Sequence, residues 1–96
     1  MKLREKVFGI VITICRVSAH ANPVDAAQRI ANVILKCGVI ELQAVGDNAI
    51  SKAVKAVAIA QKSIVHNVDM VCTPSFMVAD SKGEKVAGMK IVVENR

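Results

Sequence analysis

Between Gln43 and Lys62 the chain reads QAVGDNAISKAVKAVAIAQK, a strand that passes through a tight polar turn into a helix. That succession forces a layered α/β arrangement, because the helix carries an apolar stripe that only a neighbouring layer can cover. At about 100° per residue, Ile50, Ala53, Val54, Val57 and Ile64 share one arc and form the predicted sheet-facing side. Lys52, Lys55 and Lys62 share another arc, with Ser51 and Ser63 beside them and Ile59 between. One face builds the core, and the other is expected to meet a partner.

The flanking segments complete the layer. The β-branched run from Ile10 to Ala19 predicts a strand. Asn22 offers an N-cap acceptor, Pro23 fits the first helical position, and Asp25 sets a carboxylate against the positive helix end. The helix that follows places Val24, Ala27, Ala31, Ile34 and Leu35 on its expected apolar face and closes at Gly38. From Val39 to Val45 the residues alternate, with Ile40, Leu42 and Ala44 against Glu41 and Gln43, as in a half-buried strand. Gly46, Asp47 and Asn48 form the turn, Asn48 is the expected cap, and the second helix runs to about Val65. Residues 69–79 predict a strand whose Pro74 suits an edge or bulge; a polar loop from Asp80 to Lys85 leads into a last strand, Val86 to Glu94. The order is βαβαββ, two helices on one face of a four-stranded mixed sheet. The domain is read as residues 12–96, with residues 1–11 as an N-terminal extension.

The composition is 53% hydrophobic but only 2% aromatic, without Trp or Tyr, so the core must be aliphatic and base stacking on aromatic rings is an unfavourable mode of recognition. The formal charge of +5 suggests nucleic acid, yet much of it lies in residues 1–16, where Lys2, Arg4, Lys6 and Arg16 outnumber Glu5. Residues 63–96 balance Lys82, Lys85, Lys90 and Arg96 against Asp69, Asp80, Glu84 and Glu94. The local stripe on the second helix therefore matters more than the total.

Basic residues at positions 2, 4 and 6, an apolar run from Val7 to Cys15 and an Ala19-His20-Ala21 triplet resemble a short signal peptide. Arg16 interrupts that pattern, and cleavage after Ala21 would remove the first core strand, so a strand preceded by an extension is the favoured reading. A nine-residue apolar run is too short to span a bilayer, which needs about 20 residues. Cys15, Cys37 and Cys72 are far apart and form no C-x-x-C pair, consistent with reduced thiols and a cytoplasmic location. His20 and His66 are distant in sequence from each other and from the cysteines, and no metal site is expected.

No nucleotide-binding glycine motif is present, and Asp47 occupies the turn where Gly46 to Ser51 would otherwise invite an anion. The carboxylates are scattered and no Ser or Cys sits in a nucleophile motif, so neither an enzyme nor a cofactor is expected. Lys82 and Lys85 at the last loop, diluted by Asp80 and Glu84, read alone as an ordinary soluble loop and, with the Lys52, Lys55 and Lys62 stripe nearby, as an arm whose cations need only reach phosphates.

Val17-Ser18-Ala19, Pro23, the segment Ile40 to Gly46, and KAVKAVAIA from Lys52 to Ala60 closely resemble the stage V sporulation protein S family. Val68-Asp69, Val71-Cys72 and the closing Lys90 to Glu94 extend the similarity over roughly residues 13–96. Ala49 to Val54 also resembles the matching motif of the archaeal chromatin protein Alba. The resemblance implies an Alba-like two-layer α/β sandwich and a small, cytoplasmic homodimer with no membrane association, acting in sporulation or gene regulation. It further implies a nucleic-acid-binding role, DNA or RNA; the phosphate contacts are expected from the Lys52, Lys55 and Lys62 stripe, assisted by Arg16 and His20 and by Lys82 and Lys85 of the arm. Where Alba proteins carry a lysine pair before the first-helix proline, this chain has Ala21-Asn22, which predicts weak binding through backbone contacts. The alternative is a protein-interaction adaptor in sporulation with Ile59 as its exposed anchor.

Overall fold

The computed structural model describes residues 3–7, 10–64 and 68–96, with side-chain surroundings from residue 12 onward except at 81. Phe8, His66 and the expected helix end at Val65 lie outside the described residues. The elements are β1 (Leu3–Val7), β2 (Ile10–Arg16), α1 (Pro23–Cys37), β3 (Val39–Val45), α2 (Asp47–Ser63), β4 (Met70–Ser81) and β5 (Glu84–Asn95). They form one sheet in the order β1-β2-β3-β5-β4. The expected four-stranded mixed sheet is thus present and is extended by β1, which pairs antiparallel with β2 from within the segment read as an extension.

β2 runs parallel to β3, β5 is antiparallel to β3, and β4 is antiparallel to β5. β3 and β4 therefore point the same way, and each helix carries the chain back between parallel strands. β2 ends at Arg16, three residues earlier than expected, because the chain must turn before the cap. Val17 N–H still donates to Gln43 O at 2.9 Å, and Ala21 N–H then closes a turn on Ser18 O at 3.1 Å. Asn22 caps α1 by accepting from Val24 N–H at 2.9 Å, and Gly38, at φ 82°, ends it. Only a residue that tolerates a left-handed backbone closes a helix this way.

The core lies between the helices and one sheet face. Ile30 and Ile34 of α1 meet Ile40 and Leu42 of β3 and Val93 of β5, all essentially fully buried. Each such side chain contributes about 1.5–3 kcal/mol through burial. Both helices are rotated by roughly a quarter turn from the predicted facing. On α1, Val24 and Leu35 are 56% and 58% exposed, while Ala26, Ile30 and Val33 are buried. On α2, the buried stripe is Ala49, Ala53, Ala56 and Ala60, and Val54 is 55% exposed. The reason is packing: alanines let α2 lie close against its neighbours, where the bulkier Val54 and Val57 would hold it away. Hydropathy alone does not separate an alanine stripe from a valine stripe.

β4 is an edge strand and therefore accommodates Pro74, which has no N–H to donate. Its hairpin with β5 turns through Lys82 at φ 53° and Gly83 at φ 80°, two consecutive positive values as in a type I′ turn. The inner half of β5 is anchored by Gly88, Ile91 and Val93, whereas Glu84, Lys85 and Ala87 are exposed. The outer hairpin therefore projects as an arm about four residues, roughly 13 Å, past the core.

Candidate nucleic-acid interface

The topology brings most of the predicted cations to one end of the sheet. β2 and β3 are parallel and both finish there, so both helices start there; Val45, the last residue of β3, pairs with Gly88 at the base of the arm. Arg16 and His20 follow β2 to this end, Lys52 lies in the second turn of α2, Lys82 and Lys85 occupy the arm, and Lys55 stands at the midpoint of α2. Lys62 does not join them. It lies ten residues along α2 from Lys52, about 15 Å at 1.5 Å per residue, at the end where β4 begins.

Lys55 and Lys62 are exposed, as predicted, but Lys52 is half-buried at the border of the alanine stripe. Ile59, read as an outward anchor, is half-buried and packs against the core, because the rotation of α2 turns that position inward. The apolar surface that α2 does present is Val54 and Ala58. With Val57, Cys72, Pro74 and Ile91 they line a groove of about 280 Å³ between α2 and β4. Phe76 and Val78, 86% and 67% exposed, continue this apolar strip along the same face of β4.

Arg29 is the basic residue that the sequence reading missed. It joins Arg16, Asn22 and Asp25 around a cleft of about 160 Å³ at the start of α1. The available signal was helical: Arg29 stands one turn beyond Asp25, and hence near the capped end. His20 is exposed in the preceding turn, where its N–H donates to Ser18 Oγ at 3.3 Å.

The field at this end is positive but moderated. α2 is capped by Gly46 at φ 90° without any side-chain hydrogen bond, so Asn48 is a helical residue and not the expected cap. Gly46 reaches a conformation a side chain would disfavour, which sets the sharp entry into α2. Asp47 in the first turn occupies part of the favourable field of the helix end. Asp25, Asp80 and Glu84 oppose the cations on the other elements.

Among the described residues, no group of three or more His, Cys, Asp or Glu is placed to hold a metal ion. Cys15 is buried, whereas Cys37 and Cys72 are exposed free thiols. Partial burial in the α2–β4 groove pushes the Cys72 thiol up from its ordinary range. No helix among the described residues is long and apolar enough to cross a membrane.

Among solved structures, the chain is similar to Alba from Thermoplasma volcanium, with a TM-score of 0.60 and 14% identity. The match covers 88% of this chain and 99% of that one, which establishes the Alba-like fold. The sequence model of the family described as Stage V sporulation protein S (SpoVS) matches residues 13–96. The chain therefore belongs to the stage V sporulation protein S family.

Proposed function

We propose that this chain is a cytoplasmic, non-enzymatic regulator in sporulation that binds nucleic acid weakly through phosphate contacts. The observation that carries the reading is the gathering of Arg16, Arg29, Lys52, Lys82 and Lys85, from four elements and the last turn, at one end of the sheet, with Lys55 midway along α2. Placed cations suffice for phosphate contacts, which need no aromatic platform. The arm adds reach, and two helix N-termini facing the same end add partial positive charge. Membership of a sporulation family and the Alba-like fold support the assignment.

Binding of duplex and single-stranded nucleic acid at two salt concentrations tests it. Each phosphate neutralised contributes about 0.9 to the log–log salt slope on a duplex. Replacing Lys55, Lys82 and Lys85 together by Ala should lower that slope by about 2.7. Lys62→Ala, at the far end, should leave it unchanged. If Lys62→Ala has the larger effect, the α2 stripe binds as a continuous face and the assigned end is wrong.

The apolar strip along Val54, Pro74, Phe76 and Val78 supports a homodimer as the acting form. Apolar residues of this size on one contiguous face mark a protein contact more often than a solvent face. Val54→Asp should dissociate the dimer in sedimentation while leaving the fold intact by circular dichroism. The same strip supports the second reading, an adaptor that binds another protein there. In that case partner binding should respond to Val54→Asp and depend little on salt.

A further inference from the structure

The sheet face away from the helices carries a cleft of about 350 Å³, lined by Arg16, Ser18, Gln43, Val45, Met77 and Ala79 among others. We infer that this cleft takes one unpaired nucleotide, its base lying on the sheet and its phosphate against Arg16. The volume falls at the small end of the range for ligand pockets, about 300–1,000 Å³. Strand alternation separates this surface from α2. Cys15 and Val17 are buried under α1, so Arg16 between them belongs to the opposite face.

Beneath the lining residues Val45 and Met77 lies the buried Gly88, which pairs with Val45 on one side and Met77 on the other. A side chain there would stand 3.1 Å from Val45 Cγ2 and 3.4 Å from Met77 Cγ, in the space between the two walls. Val45, Met77 and Ala79 themselves supply the apolar floor onto which a planar ring can lie. Aliphatic side chains and Met sulfur cover such a ring without aromatic stacking.

The polar groups fit the two ends of a nucleotide. Gln43 Nε2 donates to Glu41 Oε2 at 2.8 Å, and Glu41 is buried, so the amide is held in one orientation. That leaves Gln43 Oε1 to accept an N–H from a base edge. Arg16, the register partner of Gln43 on β2, supplies a guanidinium for the phosphate. One cation beside an apolar floor with a fixed acceptor complements a base with a phosphate better than a neutral apolar ligand.

The proposal shares its ligand chemistry and Arg16 with the function proposed above, but its cleft lies on the sheet face away from the helices, and variants that avoid Arg16 let the two fail separately. Titration of the full chain with adenosine monophosphate and cytidine monophosphate, followed at the Met77 methyl by NMR, should give saturable shifts with Kd on the order of 0.1–1 mM. Ribose 5-phosphate and adenosine, each lacking one end, should bind about tenfold more weakly or worse. Ala79→Leu fills the cleft and should weaken nucleotide binding at least tenfold; Ala19→Leu, from the opposite wall, serves if Ala79→Leu lowers stability. Replacing Lys55, Lys82 and Lys85 should leave mononucleotide binding intact. Absence of shifts at Met77, indifference to both leucine variants, or equal binding of octanoate would each overturn the proposal.

Discussion

Replacing Gly88 by Ala should destabilise the domain even though its backbone conformation suits any residue. Gly38, Gly46 and Gly83 have positive φ, and Gly88 does not. On backbone entropy alone the substitution should stabilise by about 0.4–1 kcal/mol. The added Cβ, however, would stand 2.8 Å from Ala44 O. That oxygen is backbone of β3, a central strand held on both sides, and cannot retreat as a side chain does. Relief requires tilting a peptide out of the β3–β5 ladder or shifting Val45, at an overpacking cost of about 1–3 kcal/mol. The net loss is then up to about 2.6 kcal/mol and centred near 1.3 kcal/mol, or roughly 5–10 °C in Tm at that centre for a domain of this size. Urea unfolding followed by far-ultraviolet circular dichroism is the assay, since the chain has no Trp or Tyr to report by fluorescence. Protein concentration must be held fixed because dimerisation would shift the midpoint. Gly83→Ala is the control, having nothing within 4 Å but φ +80°; its cost comes from conformation alone, about 1 kcal/mol. A Gly88→Ala midpoint equal to or above the wild type would refute the reasoning.

Lys82 occupies a positive-φ turn position that favours Asn or Gly, so Lys82→Asn should raise stability by about 0.5–1 kcal/mol in thermal unfolding while weakening nucleic-acid binding. Gln61 spans the connection to β4, donating to Val68 O at 2.9 Å and accepting from Met70 N–H at 2.8 Å; Gln61→Leu should cost about 1–3 kcal/mol in urea unfolding. Burial raises the Cys72 thiol, so less thiolate is present near neutral pH, and its alkylation rate should climb through a midpoint above the ordinary thiol range. Peptide mapping after alkylation should also find Cys72 more protected as protein concentration rises, if the α2–β4 strip pairs two copies.

Local punctuation made the element order legible. Asn22-Pro23, the Gly38 stop, the alternation of Val39 to Val45 and Pro74 in an edge strand each act within a few residues, and each is realised as the local chemistry requires. Helix facing was not legible, because α1 and α2 each carry more apolar residues than one face can bury. The choice between alanine and valine stripes on α2 is made by how closely two packed helices and a sheet can approach. β1 was hidden for a related reason: LREKV is too charged to read as a strand, and it gains its pairing from β2 beside it.

The site was legible as residues but not as a place. A helical wheel groups Lys52, Lys55 and Lys62, whereas strand direction separates Lys62 and supplies Arg16, Arg29 and the arm instead. The resulting end holds five cations, with Lys55 midway along α2, yet Asp25, Asp47, Asp80 and Glu84 lie on the same elements. With that opposition a single copy neutralises few phosphates, and a duplex contact worth a slope of about 0.9 each dissolves readily at physiological salt. Two copies joined through the uncharged α2–β4 strip would double the contacts without adding a cation to the chain, converting the second engagement into an intramolecular one. Under the proposed function the exposed apolar strip and the modest positive end would be parts of one device, the strip supplying the avidity that the charge balance withholds.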